Sequence, residues 1–555
     1  MTFSLSAFAA VTPQDRRQSI GFARLARPQP FPPMALESTH VFIPDLFESH
    51  GRYFPTQEAV TCGEVRRNWG DFSRNINRVA NALLRDGVRK GSRVAVLMDN
   101  SVELLEVVFG VVRAGACVVP LSGLLTGEQL AGLIEDSQAV VVFASAAFRD
   151  RLATQLSTLH GVDAARRIAV GASQDGWRDF ASYVSDVPTS APAVRYALDD
   201  EFNIIYSSGT TGLPKGILQT HSARLHWAFS NAIEMGITRR SRALTTTALY
   251  SNGTWLVMLP TLFAGGTVVA MPAFDAGRML ALVERERISH TFMVPSQYTM
   301  VLQSPELHAH DTRSLEVLLS AGSPLRAETK RAVIERFGDR LIELYGYSEG
   351  YASMLKPGQH DEHFDSVGVP VLGWEIRILD DAGQPTPPGV AGEIAGHGPG
   401  MMKGYHGNPE ETEKLVWRDE RGRAFIRSGD IGVVDVDGFL KIVDRKKDMI
   451  ISGGFNVFPS DIEAVVAQHP AVLDVAVISI PHAKWGEVPL ALVVPKPGAG
   501  PAADDIVPWC NARLAKHQRL AGVEFRSEFP RNALGKVLKR ELRARYWQAA
   551  TPATP

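Results

Sequence analysis

The sequence predicts an α/β protein: a large N-terminal domain of two α/β subdomains plus a β-rich subdomain, with a small, mobile α+β C-terminal domain. Three observations carry that reading. Short apolar runs alternate with amphipathic segments from Gly91 to Ser145. The same rhythm resumes after a hydroxyl- and glycine-rich loop at Tyr206–Gly216. Beyond Ser366 the helical periodicity stops and glycine-punctuated strands take over.

In chain order, "SRVAVLM" reads as a strand, "SVELLEVVFGVVRAG" as a helix, "CVVPLS" as a strand, "TGEQLAGLIEDS" as a helix and "AVVVFAS" as a strand. "EFNIIY" is a buried strand that feeds straight into the loop. The second half follows with "GTVVAM", "AGRMLALVERER", "HTFMVP", a helix to about Pro305, "LEVLLSAG", "RAETKRAVIERFG" and "RLIELYG". From Ser366 to Asp444, "GWEIRILDDAG" and "VAGEIAGHG" are strands, and "VVDVDGFLKIV" is a hairpin turning at Asp437-Gly438. Arg445 to Asp448 is a charged linker at a composition boundary. After it, "PSDIEAVVAQHP", "VLDVAVISIP", "PLALVVPKP", a helix and "VEFRSEF" form a unit of about a hundred residues, the size of a compact α+β domain. The expected division is an extension at 1–40, the large domain at 41–446, the small domain at 447–547 and a tail at 548–555. Residues 15–33 are rich in Arg, Gln and Pro, which suits either a mobile extension or initiation at Met34.

Composition narrows the function. A hydrophobic fraction of 45% and a charged fraction of 21% are those of an ordinary soluble globular protein. The net charge of -2 gives no electrostatic case for nucleic acid or an anionic membrane. The most apolar stretch carries Glu106 and Arg113 and is broken by glycines and a proline, so no integral membrane segment is expected. No basic n-region opens the chain, which argues against a secretory signal. Cys62, Cys117 and Cys510 are widely spaced, as buried thiols in a reducing, cytoplasmic compartment would be. The expected partners are small molecules, and a homodimer is left open.

Five stretches carry chemistry. "YSSGTTGLPKG" supplies backbone N–H groups, hydroxyls and Lys215, which is what a polyphosphate requires. It is not a P-loop, because no Ser or Thr follows Lys215 to hold magnesium. "LYGYSEG" ends a strand, where ligands bind in such sheets. There Tyr345 can stack on a purine, Ser348 can reach a phosphate and Glu349 can hold magnesium. "RSGD" sets Asp430 after a tight turn, where one carboxylate can accept both ribose hydroxyls. "GGFNVFPSDIE" is a glycine pair before a helix that Ser460 is expected to cap. "PRNALGKVLKREL" places Lys536 on a loop before a basic helix. Singly, each has an ordinary alternative: Tyr345 as core, Asp430 as a turn former, Lys536 as one more solvated lysine. The paired histidines of "HDEHFD" and "HAHD" lie in polar loops and read as solvated rather than metal-ligating.

Taken together, "YSSGTTGLPKG", "YGYSE", "SGD", "DRKKDMIISGGFNVFPSDIE" and "NALGKVLKREL" closely resemble the adenylate-forming (ANL) superfamily. That family comprises acyl-CoA synthetases, adenylation domains of peptide synthetases and firefly luciferase. The resemblance implies an AMP-forming acyl-CoA ligase with ATP and CoA as substrates and Mg2+ as cofactor. Ser207, Ser208, Gly209, Thr210, Thr211, Gly212 and Lys215 match the phosphate-binding loop. Tyr345 and Gly346 match the adenine wall, and Gly322 and Ser323 in "SAGSPL" the wall opposite. Glu349 matches the magnesium ligand, Asp430 and Arg445 the ribose and phosphate contacts, and Ser348 and Lys536 the catalytic hydroxyl and lysine. Lys447 falls at the hinge, while Gly453, Gly454 and Trp485 fall on the CoA path.

Three departures from the family pattern matter. Ser348 and Ser428 replace the usual threonines and keep the hydroxyl. Tyr250-Ser251 stands where many members have an aromatic-His pair, so carboxylate positioning must differ. "KHQRLAG" replaces the usual Lys-x-Pro near the CoA nucleotide. The candidate acyl lining of Trp227, Tyr250, Ser251, Trp255, Met258 and Tyr347 contains no obvious cation for a second carboxylate, so an apolar fatty, branched or aryl monocarboxylate is expected. Within the family, the alternative is a ligase that loads a carrier protein's phosphopantetheine.

Overall fold

In the computed structural model, which describes residues 40–207, 214–452, 455–498, 500, 503–531 and 535–548, two mostly parallel sheets face each other across a layer of helices. Among the described residues the first sheet has eight strands, ordered Gly404–Tyr405, Lys215–Thr220, Glu201–Ser207, Cys117–Pro120, Arg93–Leu97, Ala139–Ala144, Arg167–Ala169, Arg178–Asp179. The second has nine and runs from Val369–Pro370 through Tyr351–Leu355, Leu341–Tyr347, Val317–Ser320, His290–Met293, Arg242–Thr245, Thr267–Ala270 and Glu58–Cys62 to Val65–Asn68.

The helices between the sheets are apolar nearly all round, because both their faces are covered. Val102–Arg113 buries every residue except Glu103, and Ser101 accepts the Leu104 N–H to cap it. Gly110 lets this helix press on Trp69–Arg85, since a Cβ there would lie 2.5 Å from Val79. One core cluster joins Val94, Val96 and Val118 of one sheet to Val60, Val268 and Ala270 of the other through these helices. The outer faces have their own cores, under Gly127–Asp136 on one side and Ala276–Glu286 and Ala327–Phe337 on the other.

An antiparallel sheet follows, with Glu375–Leu379, Gly392–His397, Ala424–Val434 and Val416–Arg418 in order and Leu440–Arg445 paired to Ala424–Val434. Its hairpin turns where Asp435 Oδ1 accepts the Asp437 and Phe439 N–H groups. The chain then makes one tight turn, Asp448 N–H donating to Arg445 O at 2.9 Å. Beyond it lies a small α+β domain whose long strands Val472–His482 and Gly486–Pro495 pair antiparallel, with Gly522–Phe525 added in parallel. Ser460 does not cap the helix Pro459–Val466: Phe458 holds the N-cap position. Ser460 is instead the second helical residue, and its Oγ donates to Val443 O at 2.6 Å, tying the helix to the strand before the turn.

Candidate active site

The ends of several strands converge on one cluster. Tyr345 lies near the end of the strand Leu341–Tyr347, and its hydroxyl donates to Asp430 Oδ2 at 2.8 Å. Asp430 is the register partner of Arg445 across two antiparallel strands, and Arg445 Nε lies 3.3 Å from Asp430 Oδ1. The Asp430 N–H donates to Ser428 Oγ, which fixes the turn, so serine does the anchoring expected of the residue before the Gly-Asp pair. Burial and the Asp430 charge hold the Tyr345 phenol far above its ordinary pKa, so it donates throughout the working range.

Three residues later the same segment presents Ser348 and Glu349. Asn252 Nδ2 donates to Ser348 Oγ at 3.0 Å, and Gln219 Nε2 donates to Ser348 O at 2.9 Å. Tyr405 donates its hydroxyl to Glu349 Oε1 at 2.7 Å. Lys215 begins the strand Lys215–Thr220 opposite Ser207, which brackets the loop. Its Nζ meets Glu411 Oε2 at 2.6 Å and lies 4.9 Å from the Tyr405 ring centre. Lys215 and Lys414 together hold the Glu411 carboxyl down at about 2. Just after the neighbouring strand Val317–Ser320, Gly322 takes a positive φ of 96°. Ser208, Gly209, Thr210, Thr211, Gly212, Gly453 and Gly454 lie outside the described residues.

Lys536 reaches this cluster from the small domain. Burial first, then the Arg445 guanidinium, pull its pKa down to about 8, against the opposing pull of Asp430 and Asp448. Its loop sits on the large domain, since a Cβ on Gly535 (φ 72°) would lie 3.0 Å from Ser296 Oγ. Nearby, Arg326 of the large domain pairs with Asp474 of the small one and donates to Leu473 O at 3.3 Å, while Arg531 holds the other oxygen of Asp474. Trp485 lies on the small domain with 47% of its surface exposed, as does Phe455 with 61%. Lys447 sits in the turn between the domains, and its carbonyl accepts from Arg543 Nη1 at 3.2 Å.

The aromatic candidates separate into two sets. Trp227 donates its indole N–H to Gly400 O at 2.9 Å, Tyr347 donates to Ile426 O at 2.7 Å, and Tyr250 is half-buried beside Ser122. Trp255 and Met258 are core residues, Trp255 only 1% exposed against Phe109 and Phe202, and Trp227 is itself buried in a second core cluster. The helix Trp255–Phe263 fills the space between the sheets, so its bulky residues pack rather than wait for a ligand. Ser251 is buried at the same bend.

Sequence reasoning passed over Arg224. It is fully buried, its Nε donates to Asn203 Oδ1 at 2.7 Å, and its guanidinium lies 4.7 Å from the Trp255 ring centre and 5.3 Å from that of Trp227. The available signal was a polar residue inside each of two apolar strands, Asn203 in "EFNIIY" and Gln219 in "GILQT". The histidine pairs also differ from expectation. His360 is buried and bonded to Leu341 O rather than solvated, and His310 lies between Glu284 and Glu306.

The sequence profile described as "AMP-binding enzyme" matches residues 47–406, and that of the "AMP-binding enzyme C-terminal domain" matches residues 461–536. A feruloyl-CoA synthase of Amycolatopsis is 36% identical over 89% of this chain and 97% of its own. An indoleacetate–CoA ligase of Aromatoleum aromaticum is 33% identical over 90% of this chain and 97% of its own. ATP-bound MatB from Rhodopseudomonas palustris superposes with a TM-score of 0.83 at 29% identity, covering 92% of this chain and 100% of that one. Apo MatB, with the same coverage, gives 0.72.

Proposed function

We propose, from the premise that the chain belongs to the family of AMP-binding enzymes, the adenylate-forming superfamily, that its site forms an acyl-adenylate and then an acyl-CoA. The protein is an AMP-forming acid–thiol ligase, an ATP-dependent acyl-CoA ligase. In the first half-reaction a carboxylate oxygen attacks the α-phosphorus of ATP, the bond to the β-phosphate breaks and pyrophosphate leaves. In the second the CoA thiol attacks the acyl carbon, the acyl–phosphate bond breaks and AMP leaves. The observation that carries the assignment is the convergence of Lys536 with Arg445 and Asp430, beside the Tyr345 strand end.

Lys536 would hold a positive charge where the carboxylate and α-phosphate oxygens meet, and a preorganised charge there lowers the barrier to bringing two anions together. Asp430 would accept the ribose hydroxyls while Tyr345 walls the adenine. Lys215 would exchange Glu411 for the outer phosphates. Glu349 is a single carboxylate, and among the described residues no three His, Cys, Asp or Glu side chains gather to hold a metal. That donor set fits Mg2+, which is held by one or two carboxylates plus substrate phosphates, and not a transition-metal cage. When bound, the ion would neutralise charge on the phosphate oxygens.

Trp227, Tyr250 and Tyr347 suit an acid with an apolar body, fatty, branched or aryl. Trp485, exposed on the small domain, would pack along pantetheine only after that domain turns. The test is to supply ATP, magnesium and a panel of acids and to measure pyrophosphate, AMP and thioester. Free CoA should be the better acceptor; exclusive use of a holo carrier protein would instead establish the carrier-loading alternative.

A further inference from the structure

A buried polar cluster links Arg224 to the serine beside the reacting centre. Asn203 and Gln219 are register partners on adjacent strands. Asn203 holds Arg224 through its Oδ1, while Gln219 and Asn252 hold Ser348. Four of its members are partly left over. Arg224 Nη1 and Nη2, Asn203 Nδ2, Gln219 Oε1 and Asn252 Oδ1 are all buried with no hydrogen-bond partner among the described residues. Native proteins rarely leave such atoms unsatisfied, and a buried cation without a counter-charge is the most costly case.

Nothing in the cluster balances the charge. Burial depresses the Arg224 pKa, to about 9, and no carboxylate among the described residues opposes it. The guanidinium lies near two indoles, 5.3 Å from the Trp227 ring centre and 4.7 Å from that of Trp255, and its terminal N–H groups have no acceptor among the described residues. One of those indoles belongs to Trp227, three residues on in the same helix and a member of the candidate acyl lining.

We propose that Arg224 is a specificity-determining residue of the acyl site, donating to an oxygen that the acid carries in addition to its reacting carboxylate. This rests on the acyl-CoA ligase reading above. The oxygen can be a hydroxyl or alkoxyl on an aryl ring or a second carboxylate; the shared chemistry is a hydrogen-bond acceptor set into an otherwise apolar body. A site built to bond an oxygen discriminates strongly against the analogue lacking it, because its own polar groups are then left unpaired.

The experiment compares kcat/KM, by pyrophosphate release, for matched acids: cinnamate against 4-hydroxycinnamate, benzoate against 4-hydroxybenzoate, and hexanoate against adipate. The wild-type enzyme should prefer the oxygen-bearing member of at least one pair by about tenfold or more, as a charge-assisted hydrogen bond implies. The pair that shows it identifies the oxygen as hydroxyl or carboxylate. In Arg224→Met the ratio should fall toward one, with the change in the KM of the oxygen-bearing acid. Arg224→Lys, which keeps the charge but loses the planar pair of donors, should retain part of the preference and covers the case in which the methionine variant does not fold. A wild-type ratio near one in every pair, or a ratio unchanged in either folded variant, would overturn the proposal while leaving the ligase reading intact. Pyrophosphate release with no acid at all would overturn both.

Discussion

Lys536 is where burial, charge and chemistry meet at the scale of one residue. Its folded pKa of about 8 lies below the ordinary lysine value of 10.5, so the unfolded chain binds the extra proton between those limits. Rising pH across that window therefore favours the docked arrangement that buries Lys536, yet removes the charge the chemistry needs. Adenylate formation should accordingly fall above pH 8, with kcat/KM for ATP reporting the free enzyme. The kcat profile should fall at higher pH, because bound triphosphate stabilises the charged amine. Coincident profiles would mean that the lysine does not face the phosphates. Lys536→Ala should cost on the order of 10² to 10³ in adenylate formation and spare thioester formation from supplied acyl-adenylate. An equal loss in both half-reactions would make Lys536 structural. Glu411 makes a gentler claim. Its pair with Lys215 is partly exposed, so Glu411→Gln should lower the KM for ATP by up to about fivefold through freeing the lysine. A KM that does not move would show that the pair does not compete with phosphate.

The turn from Arg445 to Met449 is the element on which the two half-reactions divide. It is held by the Asp448 and Met449 N–H groups on Arg445 O and by the Lys446 N–H on Gly429 O. Lys536 and the stretch Gly453–Gly454 lie on the same small domain but are assigned to different steps at one acyl carbon, so we propose that this turn is the hinge, with Lys447 as pivot. Proline at 447 would fix φ, remove an N–H and disfavour helical geometry at Lys446. Lys447→Pro should therefore slow thioester formation about tenfold more than it slows adenylate formation. Separate measurement of the half-reactions decides this, and parallel losses would place the pivot elsewhere.

For the molecule as a whole, the structure holds the small domain with Lys536 at the large domain's strand ends and with Trp485 and Phe455 exposed. Outside the lysine loop, Arg326 and Asp474 clasp the domains, with Arg531 fixing Asp474 from its own side. Exposed ion pairs contribute little each, so Asp474→Ala should reduce adenylate formation only about threefold and leave or raise the rate of thioester formation. A fall confined to thioester formation would show that the clasp serves the other orientation.

What the sequence determined by itself was whatever depends on neighbours along the chain. The alternation of branched runs with helical periodicity placed the strands from Arg93 to Ala144 and from Thr267 to Tyr347, with ends within about two residues of those observed. The motifs named Tyr345, Asp430, Arg445 and Lys536, and their family pattern told which chemistry to expect. What only the tertiary structure decided was whatever depends on residues distant in sequence. Trp255 looked like a pocket wall until both sheets closed over its helix. Ser460 looked like a cap until Asp444 and Val443 drew its hydroxyl away. Arg224 stood out in no motif, and only the fold sets Asn203, Trp227 and Trp255 around it. Periodicity says that a side chain faces inward; only the packing of other elements says what it meets there, and a charge buried without a counter-charge is visible only once every neighbour is in place.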